Sequence, residues 1–203
     1  MIPQLRDNFF QVEEYLQSGG WVILPIIFVS FVMWVLIINR ILFFRRLYRK
    51  NMSRHEAGVC LKEGKIPDHK KYKGITSLLV RRFLQKKTGN RSIDKHVLDE
   101  MVIRSVSSLD NYLAIIQVLA GIAPLLGLLG TVTGMITTFE IISSYGAGNP
   151  RAMAGGISEA LITTQSGLLV AIPGLYMANF LKRRAETLKL RIASLGLYLL
   201  KYI

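Results

Sequence analysis

Glu159 is the one charged residue in the run Gly155–Tyr176, GGISEALITTQSGLLVAIPGLY, and Thr163, Thr164 and Ser166 follow it within two helical turns. A carboxylate among hydroxyls in an otherwise apolar stretch suits ion handling, because the hydroxyls can receive a proton or coordinate a cation. An ionised group at the centre of a membrane span costs about 2.5–3.5 kcal/mol on insertion scales, so such groups face protein or water and serve ion paths or relays. On a helix, Gly155, Gly156, Glu159, Thr163, Ser166, Gly167 and Val170 form one small, polar stripe, with Thr164 at its edge, about 140° from Glu159. Glu159 lies about 10 Å inside the expected helix start. No Lys or Arg stands nearby in the apolar runs to pair with it. Desolvation then favours the neutral carboxyl, and Glu159 is expected to exchange a proton. The bland alternative is a carboxylate facing an outer vestibule or capping a neighbouring helix.

A second run carries matching features in GLLGTVTGMITT (Gly127–Thr138), where Gly127, Thr131, Gly134 and Thr138 share a helix face and Gly130 and Gly134 make GxxxG. In lipid, small residues let helices approach closely and hydroxyls bond across the contact. The glycines 127, 130, 134, 155, 156 and 167 are therefore expected to serve helix packing. Glu159, Thr131, Thr164, Thr163 and Ser166 are the candidate ion-path residues. Other chemistry is not indicated. Cys60 is the single cysteine, and His55, His69 and His96 are scattered through a polar segment without metal-ligand spacing. No nucleophile–base pair, phosphate loop or cofactor motif stands out, so an enzyme is not expected.

Three membrane spans must position these residues. Trp21–Ile38 is an uncharged run of 18 residues that Ile41–Phe44 can lengthen, which reaches the length of a transmembrane helix. The second span extends over 112–142 and the third over 152–181, joined by a tight link, 143–151. The chain is 51% hydrophobic yet carries a net charge of +13. That charge is concentrated in residues 40–112, with 18 Lys and Arg against 7 Asp and Glu, while residues 1–20 hold Arg6 against Asp7, Glu13 and Glu14. The positive-inside rule then puts the N-terminus outside and the long segment and tail in the cytoplasm. The basic excess is read as a topology signal toward the bilayer. Nucleic-acid binding is not expected, since no recognition motif accompanies it.

The remaining segments complete an all-α membrane protein. Leu5, Phe9, Val12 and Leu16 mark an amphipathic helix over 1–20 on the outer interface or a neighbouring subunit. After the first span (21–44), residues 45–111 form a basic cytoplasmic segment with short helices around 52–63 and 73–87. Ser92 is expected to cap the next helix, with Asp94 in its first turn. No Gly or Pro follows until Gly121, so one helix is predicted from 92 to 142, about 75 Å long and projecting into the cytoplasm. The tail, 182–203, is expected to extend the third helix in the same way. Glu140, near a helix end, is read as interfacial.

With these residues in view, the chain resembles the MotA/TolQ/ExbB proton-channel family, in its ExbB/TolQ branch. APLLGLLGTVTGM (Ala123–Met135) is similar to the family's second-span signature and GGISEALITTQSGLLVAIPGLY to its third. The resemblance implies that Glu159 is the family's intramembrane carboxylate and that Thr131 and Thr164 are its pore-facing threonines. It further implies a ring-shaped homopentamer around a dimer of ExbD/TolR-type single-span partners. An aspartate on each partner helix carries the proton step, and a TonB- or TolA-type transducer passes on the work. ExbB-like energising of outer-membrane transport, TolQ-like envelope maintenance and a related motility stator all fit this resemblance. The flagellar MotA branch is disfavoured, because it resembles a four-span chain without this glutamate. Protons are the expected coupling ion, with sodium as the alternative. The competing readings are a passive membrane scaffold and a substrate transporter, the latter weakened by the absence of a broken-helix repeat.

Overall fold

The computed structural model describes residues 19–48, 52–64, 66, 67, 72, 74–146 and 149–202. The amphipathic pattern expected over 1–20 lies almost wholly outside them. The regular structure among the described residues is helical: α1 (Ile23–Tyr48), α2 (Arg54–Glu63), α3 (Ile75–Lys86), α4 (Arg91–Asp110), α5 (Leu113–Tyr145), α6 (Pro150–Leu199) and a closing 3-10 turn, Leu200–Tyr202. Contacts divide the chain into two compact units, Met1–Leu36 with Ile115–Ala178, and Ile37–Ala114 with Asn179–Ile203.

The first unit is built on α5 and α6, antiparallel neighbours with a very short link. Gly146 ends α5 by donating its N–H to Ile142 O at 2.9 Å, and Asn149 O accepts from Met153 N at 3.3 Å across the first turn of α6. Pro150 opens α6 at a position where a missing N–H costs nothing. Pro124 and Pro173 lie inside α5 and α6, an arrangement that membrane helices tolerate. The first half of α1 packs beside them through Ile26 and Met33, both fully buried. Met33 Sδ lies where a side chain on Gly174 would stand.

The second unit holds the short helices. Glu56 caps α2 by accepting from Ser53 N at 3.0 Å, and α2 packs on α3, α3 on α4. Its core comprises Leu61, Leu79, Phe83, Leu98, Leu188 and Ile192. The cap of α4 differs from the one expected: Asn90 is the N-cap and Ser92 N donates to its Oδ1 at 3.1 Å. Asp94, 1% exposed, reaches back and accepts from Thr88 N at 2.7 Å, Thr88 Oγ1 at 2.9 Å and Gly89 N at 3.1 Å. The Thr88 N–H above all holds this carboxyl below the ordinary aspartate value of 3.8, against its own burial.

The single helix predicted from 92 to 142 is interrupted. α4 ends at Asp110, and Tyr112 takes a left-handed φ of 62° before α5 begins. The cause comes from α1. Arg40, 3% exposed, donates Nη2 to Ser108 O at 3.0 Å and to Leu109 O, carbonyls that the ending helix leaves free. Its guanidinium lies over Phe43 and Phe44, 4.6 and 5.0 Å from the ring centroids. Lys189 adds an ion pair to Asp110 at 2.6 Å. A cation and a C-terminal helix dipole attract each other, so the break is held where three elements of this unit meet.

Two outcomes follow. Arg40→Met strands both carbonyls and should cost about 2 kcal/mol, read as a lower thermal midpoint in detergent. Asp94→Asn should be less stable than wild type between pH 5 and 7. A depressed carboxyl stabilises the fold above its unfolded value and loses that effect as pH falls through its folded one. The gap between the two proteins should therefore close below about pH 3.8 in a pH series of melts.

Candidate functional site

The contact between α5 and α6 is made almost without side chains. A Cβ on Gly127 would meet Thr163 O at 3.0 Å and Thr164 Cα at 3.1 Å, and one on Gly134 would meet Gly156 O at 2.6 Å and Ala160 N at 2.9 Å. On the other helix, a Cβ on Gly167 would meet Ala123 O at 2.7 Å, and one on Gly156 would meet Gly134 O at 2.7 Å. Gly130 accommodates the Thr163 side chain itself. The structure thus brings Gly127, Gly130, Gly134, Gly156 and Gly167 into one seam. Gly155 stands apart, exposed and with nothing within 4 Å of a Cβ placed there. Because residues 155 and 156 point about 100° apart on a helix, only one of the pair can face α5.

The hydroxyls beside the seam are satisfied locally. Thr163, 0% exposed, donates to Glu159 O at 2.9 Å or Ala160 O at 3.0 Å. Thr164 Oγ1 lies 3.0 Å from Ala160 O and 3.3 Å from Gly127 O across the seam. Thr131 donates to Leu128 O at 2.7 Å and Ser166 to Ile162 O at 2.7 Å. Thr138, also buried, donates to Gly134 O at 2.9 Å. Back-bonding to the preceding turn lets a hydroxyl sit in an apolar span without an exposed donor.

Glu159 differs from all of them. Its residue is half-buried, and its carboxylate forms no hydrogen bond or ion pair among the described residues. It points away from the α5 seam toward the turn that precedes α1, where Gly20, at a φ of +59°, lies against its side chain. Ser166 turns to the same side of α6, where it and Val170 line a groove with Ile23, Ile26 and Ser30 of α1. Thr164 faces α5. Glu159 and Thr164 are therefore on different sides of α6 within one protomer. Glu140 is exposed. Sequence reasoning missed Gly20, and it missed Arg40, whose partners are 68 and 69 residues away.

Three helices long and apolar enough to cross a membrane, two of them joined along a glycine seam, define a multi-pass helical membrane protein. Comparison with known proteins narrows that class. The chain belongs to the MotA/TolQ/ExbB proton channel family, which matches residues 69–194. It is similar to the biopolymer transport protein ExbB of Aquifex aeolicus, 45% identical over 74 residues, 36% of this chain and 50% of that protein. It is also similar to the Tol-Pal system protein TolQ of Haemophilus influenzae, 35% identical over 86 residues, 42% of this chain and 38% of that one. A longer likeness, 28% over 188 residues, covers 88% of this chain and 66% of an ExbB homologue from Methanothermobacter thermautotrophicus. The match thus spans half the length of the Aquifex relative and less of the Haemophilus one. The family is of transport and channel type rather than an enzyme family, and these relatives carry the names of its ExbB/TolQ branch.

The seam sets its own test. Gly134→Ala and Gly156→Ala drive a methyl into backbone atoms and should each cost about 1–3 kcal/mol. Gly155→Ala meets open space and should be neutral or gain about 0.5–1 kcal/mol from helix propensity. Thermal unfolding of the three purified variants checks the contrast.

Proposed function

We propose that this chain is a subunit of an inner-membrane proton channel that converts the proton motive force into mechanical work on the cell envelope, as an ExbB-like energiser. The observation that carries this reading is Glu159, a half-buried carboxylate on an apolar helix that lacks a partner among the described residues. Its ionised form is expensive in a span, and a group that can alternate between neutral and charged forms suits proton transfer. No described residue serves as the acceptor, and in this reading it comes from outside the protomer. An ExbD/TolR-type single-span partner with its own carboxylate would supply it, and a TonB- or TolA-type transducer would carry the work onward.

In this reading five copies ring the partner dimer, and Glu159, Thr131 and Thr164 line the enclosed space, each protomer contributing different sides of α5 and α6. Ser166 extends the polar side of Glu159. Thr163, closed against Gly130, positions the helix rather than the ion. The N-terminus is periplasmic, and the basic second unit and tail are cytoplasmic, on the charge asymmetry of the sequence. The likeness to the Haemophilus TolQ supports a second role for the same machine, in envelope integrity.

Proton flux into liposomes holding the full chain and its single-span partner tests the proposal. Glu159→Gln should lower flux at least 100-fold in an intact complex, and Thr131→Val about tenfold, sodium making no difference. Flux that requires sodium would change the ion. An assembled Glu159→Gln complex that conducts like wild type would leave a passive scaffold as the better description.

A further inference from the structure

We infer that Gly20 is a positioning residue for the Glu159 carboxylate: the turn before α1 omits a side chain so that the carboxylate can stand where it would be. A Cβ on Gly20 would overlap Glu159 Oε1 and lie 2.5 Å from its Cδ and 3.1 Å from its Cγ. The same turn is set against α6 by its neighbour, since a Cβ on Gly19 would meet Ile23 Cδ1 at 2.6 Å and Ile162 Cγ2 at 3.3 Å. Two successive glycines thus lie on two residues of α6, three apart, on one face. Gly20 also holds a φ of +59°, a conformation that side chains other than Gly, Asn and Asp rarely visit. Space and backbone each select glycine there.

The inference rests on the proposed proton path and deepens it. A carboxylate that gives and takes a proton must present its oxygens at a fixed place, within hydrogen-bond reach of the donor or acceptor. Glu has three side-chain torsions and no hydrogen bond holds this one among the described residues. The backbone of the turn supplies the missing restraint by closing one direction to it. A side chain at position 20 pushes the carboxylate into another rotamer, and misplacement of a reacting group by about 1 Å can cost 100-fold in rate. Gly20 lies outside the stretch that matches the family, residues 69–194.

The experiment uses the full chain with its single-span partner in liposomes and compares Gly20→Ala, Gly20→Asn, Glu159→Asp and the double variant Gly20→Ala/Glu159→Asp. Asn tolerates the left-handed backbone, so Gly20→Asn isolates the collision. Gly64→Ala, at φ +67° with open space around it, isolates the strain. Two quantities are read: proton flux, and the rate at which a hydrophobic carbodiimide modifies Glu159, followed by mass spectrometry without any need for flux. Both Gly20 variants should assemble, lose at least tenfold in flux and change the modification rate by a similar factor, with Gly64→Ala like wild type. The shorter carboxylate should recover flux in the Gly20→Ala background beyond the product of the single effects. Wild-type flux and labelling in Gly20→Asn would overturn the inference, and so would additive effects in the double variant. If Glu159→Gln conducts normally, the proton path falls, while the labelling rate still decides whether Gly20 holds the carboxylate.

Discussion

The rest of the hairpin depends on the approach of the α5 backbone to the α6 backbone. In lipid, apolar side chains gain little by leaving the solvent for a neighbouring helix, and close packing with occasional hydrogen bonds has to hold helices together. Glycines at 127, 130 and 134 on one helix and at 156 and 167 on the other reduce the separation until no room is left for a Cβ against the opposite helix. That closeness fixes the rotation of α6 about its axis. With Gly156, Ala160 and Gly167 turned to α5, Glu159 and Ser166 must turn elsewhere, toward the start of α1. The position of the carboxylate is thus a consequence of where the small residues lie.

Polar groups in the spans fall into two kinds. The hydroxyls of Thr131, Thr138, Thr163, Thr164 and Ser166 return their protons to carbonyls three or four residues back, so they add polarity without an unmet donor. The Glu159 carboxylate cannot do this, because an ionised carboxylate only accepts and a helix interior offers no free N–H. Arg40 meets the same difficulty with the opposite charge and finds the free carbonyls at the end of α4. The second unit therefore meets its buried guanidinium from its own carbonyls, Nε apart, whereas the Glu159 carboxylate of the first has no partner among the described residues.

Much of this was legible in the sequence. The apolar runs and the turn-rich link announced three long helices, and two segments carried the family likeness. The break at Asn111–Tyr112 was not legible, because no Gly or Pro marks it and a side chain from another helix makes it. The α4 cap misled for a related reason: Ser92 is a good N-cap residue, but Asn90 stands two residues earlier and leaves Asp94 free to bind the preceding loop. The glycine seam was read as a stripe, and only the direction in which α6 faces α5 separates Gly156 from Gly155. Gly20 was not legible as a site residue, because its neighbour on α6 is 139 positions further along the chain and no local pattern reports such a pairing.

A joint built from glycine has a one-sided mutational landscape. A leucine-packed core can be spoiled by removing atoms or by adding them, and it can be improved either way. At Gly134 or Gly156 nothing remains to be trimmed, so every replacement adds volume toward a backbone that cannot yield. Compensation for such a change must then come from across the seam, at the few facing residues that still own atoms to lose, such as Ala160 and Thr138. A search for second-site suppressors should accordingly return a short, strongly directional set of pairs, always smaller opposite larger. Its pattern would map the seam without a structure.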